Sequence, residues 1–344
     1  MTIQLPTRNF SPWFQAVSRL MATEQIDPLP DGDLAAFDSW RDRFRQRLAA
    51  MMAPWPESVP LRSEMEEEAA CDGYRRYRMV FDSEDTMSVP AYLLVPDGRT
   101  GPGSGVLAVH GHGPGKSRIC GTEADGEAGG DYAAELARRG HVVLAPDLRC
   151  FGERADWNPP DHYGCDTNFV HQVMGGWSPL TQNVWDLQRA LDVLVAHPLV
   201  DPARIGVVGF SYGGTMALFV AACDTRVAAT VVSGYFSSWA EAHKVPWNMC
   251  GSQVLFAMLG HMEHADVGAL IAPRPLLVQT GREDLLFPVT AFEDSVARLH
   301  RVYEHLGAGD CLEHHVFDGE HQWDGARAYP FIGQRLGVGP VVPD

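Results

Sequence analysis

Positive charge is what this chain has least of. Among 344 residues, 27 Lys and Arg stand against 44 Asp and Glu, a formal net charge of −17. Polyphosphates and anionic lipid surfaces are held by clustered cations, so this balance argues against nucleic acid or a membrane surface as a partner. Cysteine is sparse and unorganised. The seven cysteines show no C-x-x-C and no paired spacing, which predicts reduced thiols and a cytoplasmic location. The stretch Met1 to Phe14 lacks the charged start, apolar core and cleavage site of a signal peptide. No run approaches the ~20 apolar residues that span a bilayer, and no internal repeat or low-complexity tract is visible. The remaining composition, 45% hydrophobic and 21% charged, suits a soluble globular protein with a large core.

Residues Gly209-Phe-Ser-Tyr-Gly-Gly214 carry the most information. An apolar run, Arg204 to Phe210, leads into Ser211, and a helix-forming run, Tyr212 to Cys223, leads away from it. A strand, a sharp turn and a helix with G-x-S-x-G at the corner form a nucleophile elbow, which lifts a serine hydroxyl clear of a sheet. Such a turn strains the serine backbone and crowds the positions two residues either side, so glycine is needed at 209 and 213. Ser104, in Gly101-Pro-Gly-Ser-Gly105, has the wrong spacing and no following helix; it reads as a turn.

A serine hydroxyl attacks only when a base takes its proton, and the base needs an acid to fix its tautomer. Both partners are expected downstream, each just after a strand. Pro275 to Thr280 is a short apolar strand, and the loop Gly281 to Pro288 offers Asp284 as the acid, with Glu283 as its rival. Cys311 to Asp318 alternates like a last strand, and His321 follows it as the expected base. His314 and His315, within that strand, read as structural, one facing the core or helix layer and one away. An oxyanion needs two donors. The first is the backbone N–H of Tyr212. The second comes from the loop Gly111 to Gly115 after the strand Gly105 to His110; His112 is favoured, with Gly111 and Gly113 as alternatives. His110 and His112 also form an H-x-H pair, but no third ligand has suggestive spacing. No metal or other cofactor is expected. His261 and His264 read as the polar face of a helix.

The organisation divides near residue 70. Residues 1–70 are expected to form a helical amino-terminal extension, with one helix over Ser11 to Glu24. A second is strongly amphipathic, running from Asp33 to Met52 with Leu34, Phe37, Trp40, Phe44, Leu48 and Met51 on one stripe and Asp31 or Asp33 as cap. It could wall the substrate entrance or mediate homo-oligomerisation. Residues 71–344 read as one α/β domain. Tyr74 to Phe81 and Met87 to Val95 form an antiparallel pair. Alternating strands and helices follow: strand His141 to Pro146, helix Leu180 to His197 and strand Val227 to Val232 among them, the pattern of a mostly parallel sheet flanked by helices. Insertions near 150–178 and 235–270 interrupt it. Both should project above Ser211, the second with a helix around Val254 to Met262. Their aromatics Trp177, Tyr235, Phe236 and Trp239 are candidate pocket residues.

With the Gly209 to Gly214 elbow, Asp284, His321 and the His110-Gly-His-Gly113 loop, the chain resembles the α/β-hydrolase superfamily. Pro146-Asp-Leu-Arg-Cys-Phe-Gly-Glu-Arg154 and Trp185-Asp-Leu-Gln-Arg-Ala-Leu-Asp192 are similar to its dienelactone-hydrolase and acetyl-xylan-esterase-like branch. The resemblance runs from about 74 to 325. It implies an α/β-hydrolase fold and a cofactor-free serine esterase acting on a small-molecule ester of short acyl chain, acetyl above all. Two departures stand out. Dienelactone-hydrolase sites carry cysteine at the elbow where this chain has Ser211, and the branch often has glycine where Cys150 stands. A C–C bond hydrolase, a peptidase or an acyltransferase would use the same triad. A binding protein on an inactive hydrolase fold would be expected to lack one of its members.

Overall fold

The computed structural model describes residues 8–32, 34–122, 130–157, 163–245 and 248–338. Two helices come first, α1 (Pro12–Met21) and α2 (Phe37–Met51). Four strands follow, β1 (Glu64–Ala70), β2 (Tyr74–Glu84), β3 (Met87–Pro96) and β4 (Gly103–Val109). Short helices α3 (Lys116–Ile119) and α4 (Tyr132–Arg138) lead to β5 (Val142–Pro146), then α5 (Gly164–Met174) and α6 (Pro179–Ala196). The elbow joins β6 (Val200–Phe210) to α7 (Tyr212–Cys223), and β7 (Ala229–Ser233) follows. After α8 (Trp239–Ala242) and α9 (His264–Ala269) come β8 (Leu276–Gly281), α10 (Val289–His305), β9 (Leu312–Phe317) and α11 (Gly325–Arg335).

Among the described residues the strands form one sheet in the order β1-β2-β3-β5-β4-β6-β7-β8-β9. The first four are joined antiparallel, and β5 through β9 run parallel. Central strands covered on both faces should read as unbroken apolar runs, and every residue of β4, β5, β7 and β8 is buried. One face packs on α6, α7, α9 and α10, the other on α4 and α11. This is the α/β-hydrolase fold expected from the sequence.

Helix α2 does not stand apart from the α/β domain. Phe37, Trp40, Phe44, Leu48 and Met52 enter the same apolar core as α7 and α10, with the rings of Trp40 and Phe44 stacked at 5.1 Å. Residues 64–70, placed by the sequence in the helical extension, form the edge strand β1 instead. Asp33 lies outside the described residues. Asp31 does not cap α2; it pairs with Arg298 and Arg301 on α10, fastening the amino-terminal segment to the domain. The helix expected over Val254 to Met262 is also absent. Short 3₁₀ turns at Gly251–Gln253 and Met258–Gly260 replace it, separated by Ala257 in the left-handed region at φ 57°. Left-handed backbone cannot continue a right-handed helix.

Candidate active site

The elbow shows why its glycines are required. Ser211 sits at φ 56°, ψ −120° between β6 and α7, a region an L-residue enters only under constraint. A Cβ at 209 would run into the Gly213 carbonyl, and one at 213 into the Val109 carbonyl. The Ser211 N–H donates to Ser233 O at 2.9 Å, which ties the corner to β7.

His321 Nε2 lies 2.9 Å from Ser211 Oγ, and its Nδ1 lies 2.8 Å from Asp284 Oδ2. The other oxygen of Asp284 accepts from the Leu286 and Phe287 N–H groups at 2.8 and 3.1 Å. With its side chain fully buried, Asp284 is thereby held in one orientation. A carboxylate on Nδ1 makes that nitrogen the donor, which leaves the Nε2 lone pair facing the serine hydroxyl. The imidazole is half-sandwiched by Phe210 and Phe287, with centroids at 4.8 and 5.9 Å. Glu283 is exposed, whereas Asp284 is buried beside the imidazole.

The loop after β4 is anchored from several sides. His110 Nδ1 lies 2.7 Å from the Gly111 carbonyl, and its Nε2 accepts from the Leu148 N–H at 2.9 Å. These partners fit the neutral Nδ1–H tautomer, and burial pushes the ring's pKa down, in the same direction. The buried Lys116 ammonium bridges Asp147 and Glu153 at 2.5 Å each. Tyr132 Oη donates to Val109 O at 2.6 Å. Gly111 thereby rests against the elbow, its pro-Cβ position 3.2 Å from Ser211 Cβ. Tyr212 is the first residue of α7, whose leading N–H groups have no partner within the helix.

A cavity of about 650 Å³ opens at Ser211 and His321. Gly111, His112 and Phe210 line it beside the serine. Arg118, Asp166, Asn248 and Gln322 add polar groups, and Tyr163, Met249, Leu286 and Trp323 add apolar surface. The aromatics expected there are elsewhere. Tyr235, Phe236 and Trp239 are fully buried, packed around the His264 ring. Their short segment after β7 turns down into the helical layer and does not rise over the sheet. Trp177 lies in the turn between α5 and α6, off the cavity wall. His264 is itself buried and stacks on Trp239 at 4.1 Å, so it is no part of a polar helix face. Of the last-strand histidines, His314 points to the helix layer, exposed and 3.2 Å from His300 on α10, while His315 approaches Asp324 at 3.3 Å.

Sequence reasoning missed the lining residues that depend on side-chain direction. Gln322 and Trp323 had one signal, their adjacency to His321. It also missed a trio at the cavity wall: His112, Cys165 and Cys250 converge with donor atoms all within 4.8 Å of one another. A hydrogen bond with Cys250, and a second with His112, hold the Cys165 thiol down at about 6. The Cys250 thiol is pushed well up by that shared bond and by burial. Cys150, which stands where the related branch often has glycine, sits at φ 74°; glycine enters that region freely. Among the described residues no helix is long and apolar enough to cross a membrane.

Known proteins share this frame. Residues 24–318 match the model of the Abhydrolase family. The Bacillus subtilis protein named "Putative hydrolase YtaP" is 29% identical over 285 residues, covering 79% of this chain and 90% of that protein. A Bacteroides fragilis structure described as a "putative acetyl xylan esterase" superposes with a TM-score of 0.75 at 19% identity, over 94% of this chain and 90% of that one. A glucuronoyl esterase from Solibacter usitatus gives a TM-score of 0.68 at 16% identity, over 91% and 97%.

Proposed function

The chain belongs to the Abhydrolase family, and on that premise we propose that it is a serine hydrolase of carboxylic esters, short acyl groups above all. The observation that carries this reading is the unbroken relay from Asp284 through His321 to Ser211, with both hydrogen bonds under 3 Å, opening on a cavity.

The chemistry follows from the geometry. Ser211 Oγ attacks the ester carbonyl carbon as its proton passes to His321 Nε2. Asp284 stays ionised and stabilises the imidazolium it faces. The negative charge that develops on the former carbonyl oxygen is met by the Tyr212 and His112 backbone N–H groups. A single such donor is worth ~10²–10³ in turnover. His321 then gives its proton to the departing alkoxide, and the C–O bond breaks to leave an acyl-serine and free alcohol. Water, deprotonated by the same nitrogen, attacks the acyl-serine; the acid leaves and Ser211 regains its proton. No step needs a metal or redox group.

Substrate class is read from the cavity. It is larger than an acetyl group needs, so most of it is left for the alcohol. Its mix of Arg118, Asp166, Asn248 and Gln322 with Tyr163 and Trp323 suits a polar, ring-shaped alcohol. That the structural neighbours are described as acetyl xylan and glucuronoyl esterases supports the same direction. A panel of p-nitrophenyl esters of rising chain length, run beside peptide amides and aryl ketones, tests the proposal. We expect turnover confined to esters and highest for acetate. Faster cleavage of amides or ketones would overturn it.

A further inference from the structure

The trio at the cavity wall has a chemistry the ester reaction does not use. His112 comes from the loop after β4, Cys165 from the start of α5, and Cys250 from the segment just before the Gly251–Gln253 turn. Three remote segments therefore bring one imidazole nitrogen and two sulfurs within 4.8 Å of one another. From these donors and their spacing we propose a binding site for a single soft divalent metal ion, best suited to zinc, in the wall of the ester cavity.

The donor set decides the kind of ion. Two sulfurs and an imidazole select zinc or a soft transition metal over magnesium or calcium, which take oxygen ligands. The spacing decides feasibility. With Zn–S near 2.3 Å and Zn–N near 2.0–2.1 Å, tetrahedral ligation puts sulfur and nitrogen about 3.6 Å apart and two sulfurs about 3.8 Å apart. Cys165 Sγ already lies 3.7 Å from His112 Nε2. Drawing the widest pair in from at most 4.8 Å asks for a shift of about 1 Å or less. The thiols that ligate surrender their protons to solvent.

The support around the ligands is also built. The His112 ring is held between Tyr212 at 4.9 Å and the edge of Phe151 at 5.4 Å, with Nε2 turned to the cysteines. The two cysteine segments are stapled together: Gly251 N–H donates to Asp166 at 2.8 Å, and Ser252 Oγ donates to the Cys165 carbonyl at 3.2 Å. Both cysteines are buried, while His112 and Cys250 line the cavity. Two of the three ligands thus border the cavity, which gives an ion, and a water to complete its tetrahedron, a way in. An ion there fastens both insertions to the loop that carries a proposed oxyanion donor. Its arrival should slow ester turnover by narrowing the cavity.

The test uses the full chain, reduced and stripped of metal, titrated with Co²⁺ as a spectroscopic probe and then with Zn²⁺. We expect a thiolate-to-cobalt charge-transfer band that saturates at one equivalent and is bleached by zinc. Ser211→Ala should keep the band. Cys165→Ser and Cys250→Ser should each weaken cobalt binding roughly tenfold or more. Should Cys250→Ser fail to fold, Cys165→Ser carries the comparison alone. Absence of the band in the unmodified protein, or an undiminished band in the folded cysteine variants, overturns the proposal. Because absorption reads binding directly, the outcome does not depend on whether esters are hydrolysed.

Discussion

Below Ser211 and above it, the chain is held by different means. Below, backbone geometry and buried charge dominate. The elbow closes on two glycines with no room for a side chain, the loop after β4 is clamped by His110 and by Lys116 between Asp147 and Glu153, and Asp284 is locked by two backbone N–H groups. Above, the insertions are short helices and 3₁₀ turns joined by a few side-chain hydrogen bonds. A frame whose positions are forced by backbone contacts can hold one chemistry while the roof varies. Reactivity and selectivity should therefore separate on substitution.

The largest separation is expected within the acid loop. Asp284→Asn keeps the shape but lets the imidazole take the wrong tautomer, which costs ~10⁴ in kcat in such a triad. Its exposed neighbour, changed as Glu283→Gln, should alter kcat by less than about twofold. Steady-state kinetics on one acetate ester checks both, and equal losses would erase the distinction between the two carboxylates.

The difference between frame and roof also explains what could be read from sequence. Gly209, Gly213 and the order of Ser211, Asp284 and His321 were legible because a backbone conformation or a strand end dictates each. The stripe of Phe37, Trp40, Phe44 and Leu48 was legible because helical periodicity dictates it. Tyr235, Phe236 and Trp239 were misplaced because composition places aromatics near a site without saying which way they point; that depends on where the segment after β7 turns. Strand β1 was illegible for a related reason. Its Glu64-Met-Glu-Glu-Glu sequence has no apolar alternation, and pairing with β2 at the sheet edge supplies what the pattern lacks.

At the joint between frame and roof, Arg149 in the loop after β5 meets Asp186 on α6 at 2.9 Å, with Arg154 beside them at 2.8 Å. Burial alone would raise the Asp186 pKa, but Arg149 and Arg154 outweigh it and hold the group at about 2, below its ordinary 3.8. The unfolded carboxylate takes up protons first. The stability this group contributes is therefore complete above pH ~4 and is lost as the pH falls toward the folded-state value. Asp186→Asn should cost about 1–3 kcal/mol at neutral pH by removing the carboxylate charge between the two guanidiniums, while Arg149 keeps its pairing with Glu84. It should also flatten the acid limb of the stability curve. Urea unfolding at a series of pH values measures both effects.

A milder pair of changes sharpens the same comparison in the roof. Leu286 lines the cavity, whereas Phe236 is buried away from it. Leu286→Ala should shift the kcat/KM ratio of long to short esters about tenfold with little change in Tm. Phe236→Leu should lower stability by about 1–2 kcal/mol and leave that ratio unchanged. The smallest effect is expected at Cys150, in the left-handed region. Cys150→Gly relieves about 1–2 kcal/mol of backbone strain against a greater loss of chain entropy on folding, for a net gain of no more than about 1 kcal/mol. Thermal unfolding reads it.

The proposal that Ser211 carries an activated hydroxyl is tested most directly by covalent capture. The protein is treated with a fluorophosphonate and its intact mass recorded before and after, beside Ser211→Ala. A single adduct on the unmodified protein and none on the variant is the predicted result. An unlabelled native protein, or a variant labelled to the same extent, would contradict a nucleophile at this corner.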